Sequence, residues 1–254
     1  MKRSRREIVL KSPREVELMR VANVHVAEIL ELMCQAAKPG ASTWDLDQLA
    51  RTELKKRGLK SPFLGYHGYP AVVCTSINEE IVHGIPRKDR VLRDGDIIGI
   101  DFGVIYESYV GDSARTIAVG AISPDAQHLI DITRESLERA IRVCTPDHRL
   151  SDIGRVVQDC AEGAGMSVVR DFVGHGIGTQ MHEDPQVPNY YDGPKPRLRP
   201  GLVIAIEPMV NQGTHEVLVL DDGWTAITRD HKLSAHFEHS VAITEGEPIV
   251  LSRI

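Results

Sequence analysis

At 254 residues the chain is long enough for one large domain with a sizeable core, or for two small ones. Its composition, 42% hydrophobic and 26% charged, is that of an ordinary globular protein, and no apolar run approaches the ~20 residues of a membrane-crossing helix. A formal net charge of −6 argues against a general nucleic-acid binder, DNA included.

The first stretch, MKRSRREIVLKSP, carries basic residues without an apolar h-region, so it is not a secretory signal and a cytoplasmic protein is expected. Lys2, Arg3, Arg5 and Arg6 in the tail 1–7 leave two readings open, a solvated arm and a transient RNA or ribosome contact. Ser12-Pro13-Arg14-Glu15 then opens a helical pattern that runs to about Ala37, with Ser as cap and Pro in the first turn. Asp45-Leu46 starts a second amphipathic helix that stops near Gly58-Leu59. Strand-like segments follow, among them LRDGDIIGID at 92–101 and a later one carrying Asp112.

The same order then returns. Ser123-Pro124-Asp125 opens a helix to about Val143, Asp152-Ile153 opens another, and Gly165-Met166 closes it. Pro39 and Pro146, Asp45 and Asp152, and Gly58 and Gly165 share an offset of 107. LRPGLVIAIE at 198–207 aligns with LRDGDIIGID, so that Glu207 falls opposite Asp101; His175-Gly176-Ile177 answers His83-Gly84-Ile85. Asp112 and Glu238 each stand eight residues before a glycine, Gly120 and Gly246. We read a duplicated α+β fold, helices covering one face of a largely antiparallel sheet, with half-repeats at about 8–121 and 122–254 inside a single domain 1–254.

Asp101 and Glu207 each end an apolar run, where an unpaired carboxylate is costly. One such acid is explained by a salt bridge. Two at matched positions, joined by Asp112 and Glu238, would repel one another without cations, and a dinuclear metal site resolves this. His175, between the glycines of GHGIG at 174–178, supplies an imidazole; with it the set fits Mn, Fe, Co or Zn better than Ca or Mg. His182 in MHEDP reads as lining the cleft from a loop or strand, and Glu183 and Asp184 as solvated. The H-x6-H spacing is not H-E-x-x-H, the DFG at 101–103 lacks the other kinase segments, and no G-x-S-x-G elbow appears. Cys34, Cys74, Cys144 and Cys160 form no C-x-x-C pair and are read as reduced thiols.

Taken together, GYHGYP (65–70), CTSINEEIVHGIP (74–86), DIIGIDFG (96–103), GDSART (111–116), GHGIG, IEPM (206–209) and FEHS (237–240) resemble methionine aminopeptidase, type I, from about Ile8 to Val250. The spacing of His175 and Glu207 leaves no room for the helical insertion of type II, and the absence of a Cys/His-rich extension favours the bacterial form. The resemblance implies the duplicated pita-bread fold with pseudo-two-fold halves. It implies two divalent ions, drawn from Co, Fe, Mn, Zn or Ni, with Asp101 on one, His175 and Glu207 on the other, and Asp112 and Glu238 bridging. His83 and His182 match the family's cleft histidines, which contact substrate and assist proton movement. Tyr66, His67, Tyr69 and Trp224 match positions around the methionine pocket; Met181 and Phe63 adjoin it, where many members carry Phe and several carry Cys. Asn78 and Ser234 lie where the family sometimes holds a monovalent cation. The implied reaction is removal of the initiator methionine from nascent polypeptides with a small second residue, by attack of a metal-activated bridging water on the first peptide carbonyl. Glu207 is expected to double as proton acceptor, and a monomer is expected.

Overall fold

A computed structural model describes residues 8–254; the basic tail 1–7, and with it any ribosome contact, lies outside the described residues. Four long helices form where the sequence supplies caps. In α1 (Pro13–Ala36) the Ser12 Oγ accepts from the Glu15 N–H, while the Glu15 carboxylate accepts from the Ser12 N–H at 2.7 Å. In α2 (Thr43–Arg57) Ser42 and Asp45 repeat this box, and Gly58 closes the helix at φ 67°. In the second half Ser123 caps α3 (Pro124–Arg142), and in α4 (Leu150–Gly163) Asp152 accepts from the Arg149 N–H at 2.8 Å. Both second helices therefore begin two residues before the expected Asp45 and Asp152. These acids are the third helical residues, reaching back to satisfy a free backbone donor.

The strands are β1 (Val73–Ile77), β2 (Glu80–Val82), β3 (Ile97–Tyr106), β4 (Tyr109–Ala118), β5 (Ser167–Val168), β6 (Gly174–Gly176) and β7 (Glu183–Val187). They continue with β8 (Val203–Ile206), β9 (Met209–Asn211), β10 (Val217–Val219), β11 (Ala226–Thr228), β12 (Ser234–His236), β13 (Glu238–Ala242) and β14 (Ile249–Val250). The central antiparallel sheet has the order β1-β3-β4-β13-β8-β6-β7, with β14 added to β13. Its centre is the junction of β4 and β13, so β3 and β8 occupy matching places on either side, as do β1 and β6. Two three-stranded sheets, β10-β11-β2 and β12-β9-β5, stand beside it.

Side chains alternate across a strand, and this alternation divides core from site. On β3, Ile98, Ile100, Phe102 and Val104 pack with α1 and α2 residues such as Ile29, Met33 and Leu46. On β8, Ile204 and Ile206 pack with α3 and α4 residues such as Leu129, Leu137 and Ile153. The intervening positions, Asp101 among them, face away from the helices. Asp101 lies inside β3 and does not end it, contrary to the expectation, because β3 and β4 pair along all ten residues of each strand. Glu207 does follow the end of its strand, where Pro208 interrupts the ladder.

Candidate metal centre

Strand register alone brings the acids to one face. Asp101 pairs with Ala114, and Ala114 pairs with Glu238 on its other side, so these three residues share a face. Asp112 is two residues from Ala114 and joins them. Across the sheet, Ser240 pairs with Ala205 and Ala205 with His175, which carries the same face to the imidazole and, two residues beyond Ala205, to Glu207. The glycines around His175 allow this strand to sit close: a Cβ on Gly174 would meet Ala205 O at 2.4 Å, and one on Gly176 would meet Asp184 O at 2.3 Å.

The side chains converge. Ligand atoms of Asp112, His175 and Glu238, all buried, lie within 4.8 Å of one another, and His175 Nε2 is 3.5 Å from Glu207 Oε1. Asp101 and Glu207 are partly open to the same cavity. The His175 Nδ1 faces Gly176 O at 3.0 Å, so Nδ1 carries the proton and Nε2 turns a lone pair inward. Backbone contacts hold the acids in place: Ser113 Oγ donates to Glu238 O at 2.7 Å, Ser240 Oγ to Asp112 O at 2.9 Å, and Asn189 Nδ2 to Glu207 O at 3.0 Å.

Electrostatically the cluster is unsatisfied. Asp101 Oδ1, Asp112 Oδ1 and Glu238 Oε1 are buried without any hydrogen-bond partner. Burial pushes Asp101 up to about 7. Burial, and then the charges of neighbouring acids, raise Asp112, Glu207 and Glu238 well above the usual carboxylate range. Burial also lowers His175 to about 3, so its ring is neutral. Buried oxygens without donors and an inward lone pair are a donor set for cations, and hard oxygen with one imidazole suits divalent transition metals.

Above the cluster is a cavity of about 280 Å³. Phe63, Tyr69, Met181 and Trp224 form an apolar wall together with Cys74 and Phe172, which the sequence reading did not single out. The Tyr69 ring meets Trp224 edge-on at 5.0 Å, and its hydroxyl donates to Val73 O and Gly84 O at 3.0 and 3.1 Å. His83 follows β2 at φ 62°, a left-handed backbone that costs energy for a non-glycine residue and turns the ring between Phe172 and Trp224. Burial lowers it to about 4. His182 stands edge-on to His175 at 4.4 Å and meets the Tyr66 hydroxyl at 2.7 Å through Nδ1.

Other expectations fared differently. His67 does not line the cavity; it is exposed, at φ 46°, packed edge-on against Tyr66. Asn78 and Ser234 meet away from the metal cluster, where Asn78 O accepts from the Ser234 N–H at 2.9 Å. Glu183, read as solvated, is largely buried and paired with Lys11 Nζ at 2.6 Å, a partner from the segment that leads into α1. His83 and His175, matched in sequence, do not hold matching places in the fold. Gly99 is the β3 counterpart of Ala205, and it pairs with Ser76 in β1, so the position matching His175 belongs to Ser76. His236, buried beside Glu207, was overlooked; its two-residue spacing from Glu238 was the available signal.

Residues 17–245 match the model of metallopeptidase family M24. The chain belongs to metallopeptidase family M24. It is 47% identical to the methionine aminopeptidase of Aquifex aeolicus over 97% of this chain and 99% of that protein. Methionine aminopeptidase 1 of Bacillus subtilis is 49% identical over 97% of this chain and all of that protein. The crystal structure of methionine aminopeptidase from Thermotoga maritima superposes with a TM-score of 0.96 at 42% identity, covering 98% of this chain and 100% of that one. The prolidase from Pyrococcus horikoshii shares the fold alone, with a TM-score of 0.78 at 20% identity over 97% of this chain and 64% of its own. The chain thus has the pita-bread fold and is an aminopeptidase of this metal-dependent family, grouped with the bacterial methionine aminopeptidases.

Proposed function

We propose that the chain removes the N-terminal methionine of polypeptides by hydrolysis at two divalent ions, preferring substrates with a small second residue. The observation that carries this reading is the set of donor-free carboxylate oxygens and the inward imidazole lone pair on the floor of a largely apolar cavity. In this reading Asp101 serves one ion, His175 and Glu207 the other, and Asp112 and Glu238 both. Bound there, the ions supply Lewis acidity, which brings the pKa of a water near neutrality and polarises the scissile carbonyl.

The chain's own residues do the rest. Glu207 borders both cluster and cavity and accepts the proton of the attacking water. His182, buttressed by the Tyr66 hydroxyl, and His83 approach the cavity from opposite halves. As neutral imidazoles they donate to the developing oxyanion and to the scissile amide, effects worth up to a few kcal/mol each. Phe63, Tyr69, Met181 and Trp224 enclose a flexible thioether and exclude water from it. A free α-amine near the ions restricts cleavage to the first peptide bond.

The deciding experiment is release of free methionine from Met-Ala-Ser and Met-Leu-Ser, with dialysed apoprotein as control. Metal-dependent release that favours Met-Ala-Ser is expected; release by the apoprotein, or none with any of the five metals, defeats the reading.

A further inference from the structure

His236 is the last residue of β12 and is 3% exposed. Thr116 Oγ1 on β4 grips its backbone from both sides, accepting from the His236 N–H at 2.9 Å and donating to the His236 carbonyl at 2.9 Å. The ring's Nε2 is buried with no hydrogen-bond partner. Facing that nitrogen is the Glu207 carboxylate, whose Oε2 is 3.9 Å away. The other oxygen of the same carboxylate, Oε1, is 3.5 Å from His175 Nε2. Glu207 therefore lies between two imidazoles with different duties. His175 has its Nδ1 committed to Gly176 O, which leaves Nε2 as a lone pair. His236 Nε2 carries no such constraint, and a carboxylate opposite favours the tautomer with the proton on Nε2. The separation is about 1 Å longer than an N–H···O bond, so the contact requires the Glu207 carboxylate to turn toward the ring.

We propose that His236 is the positioning residue of Glu207, donating from Nε2 to Oε2 so that Oε1 alone is turned to the metal cluster and the substrate. This rests on the role given to Glu207 above. Its physical content is that a carboxylate held at one oxygen loses alternative rotamers, and a ligand fixed by an outer partner binds more tightly than a free one.

Glutamine and asparagine separate this role from simple packing, because the Gln amide reaches the place of ring Nε2 whereas the Asn amide reaches that of Nδ1. Full-length protein and its His236→Gln, His236→Asn and His236→Ala variants would be dialysed and titrated with Co2+, following its d–d absorption. Melting temperature, and kcat and KM on Met-Ala-Ser, would be measured alongside. Expected for His236→Ala is a ~10–100-fold loss of Co2+ affinity, with a similar loss in kcat and KM changed by no more than about twofold. His236→Gln is expected to recover most of both, and His236→Asn neither. Wild-type Co2+ affinity and kcat in His236→Ala, or Gln and Asn variants that behave alike, would overturn the proposal, as would a Co2+-loaded crystal with Nε2 on the metal. If His236→Ala does not fold, the Gln and Asn variants decide alone. Wild-type protein that binds Co2+ but releases no methionine sinks the functional reading, while the titrations still judge His236.

Discussion

In the first half of the central sheet, β3 and β4 form one continuous hairpin that carries both Asp101 and Asp112. In the second half, β8 and β13 bring Glu207 and Glu238 to the mirrored place, but β9 to β12 intervene between them in the chain. The acids are thus delivered alike by both halves, while the imidazole is not: β6 carries His175 where β1 carries Ser76. The inserted strands also bring Trp224 and His236 to the site, for which the first half has no counterpart in the central sheet. The two halves supply a symmetric set of carboxylates, and its direction comes from the imidazole, which only β6 places among them.

The sharpest break of that comparison is Glu207→Gln. Loss of kcat by about 10³-fold or more on Met-Ala-Ser, with the fold retained by circular dichroism, is expected if one residue is both ligand and proton acceptor. Near-normal kcat with metals bound would remove Glu207 from the chemistry. Next comes His175→Ala, which should weaken one of two metal-binding steps by roughly 10²-fold in calorimetry and spare the other. Equal weakening of both steps would show that the imidazole does not distinguish the two ends.

His83→Ala is expected to reduce kcat by about 10-fold or more while leaving metal affinity within a few-fold, since its ring faces Phe172 and Trp224 and not the acids. A parallel loss of metal would place it among the ligands. For Lys11→Met, the largely buried Glu183 loses its partner and the loop bearing Met181 and His182 is expected to loosen. A stability loss of about 2–3 kcal/mol in urea melts, accompanied by a several-fold drop in kcat/KM, is expected; stability loss with kcat/KM intact would separate the pair from catalysis.

The smallest effect is in pH. The folded acids of the metal-free protein titrate above their unfolded values, Asp101 at about 7, so as pH climbs from the unfolded carboxylate range toward the folded values the native state holds protons that the unfolded state has lost, and stability falls. His175 and His83, lowered by burial, work the other way: their unfolded rings keep protons up to about pH 6.5 that the folded rings do not, so they offset the acids below that pH and add little above it. Melts in EDTA should therefore decline by a few degrees from about pH 6.5 to 7.5, below the range in which unfolded thiols ionise. Saturating metal, which keeps the acids ionised and paired, should flatten the profile. A metal-free profile that rises with pH would contradict the clustering of the acids.

Much of this was legible from residues alone. The S-P helix openings, the shared 107-residue offset and the acids after IIGI and VIAI are local signals, each with a local physical cause in capping, repetition or desolvation. They gave the α+β class, the four helices and the five residues that the sheet brings to one face. The sequence could not say that β6, and not the segment at His83, takes the place matching β1, because that depends on strand order, which no local spacing encodes. It misjudged Glu183, whose partner Lys11 is 172 residues away, and it put His67 in a pocket that a left-handed turn carries it out of. It passed over His236, whose significance lies in the distance to Glu207 across two sheets. Covalent neighbours determine which groups are present and which way each strand faces; only packing at long range decides which of them are left without a partner.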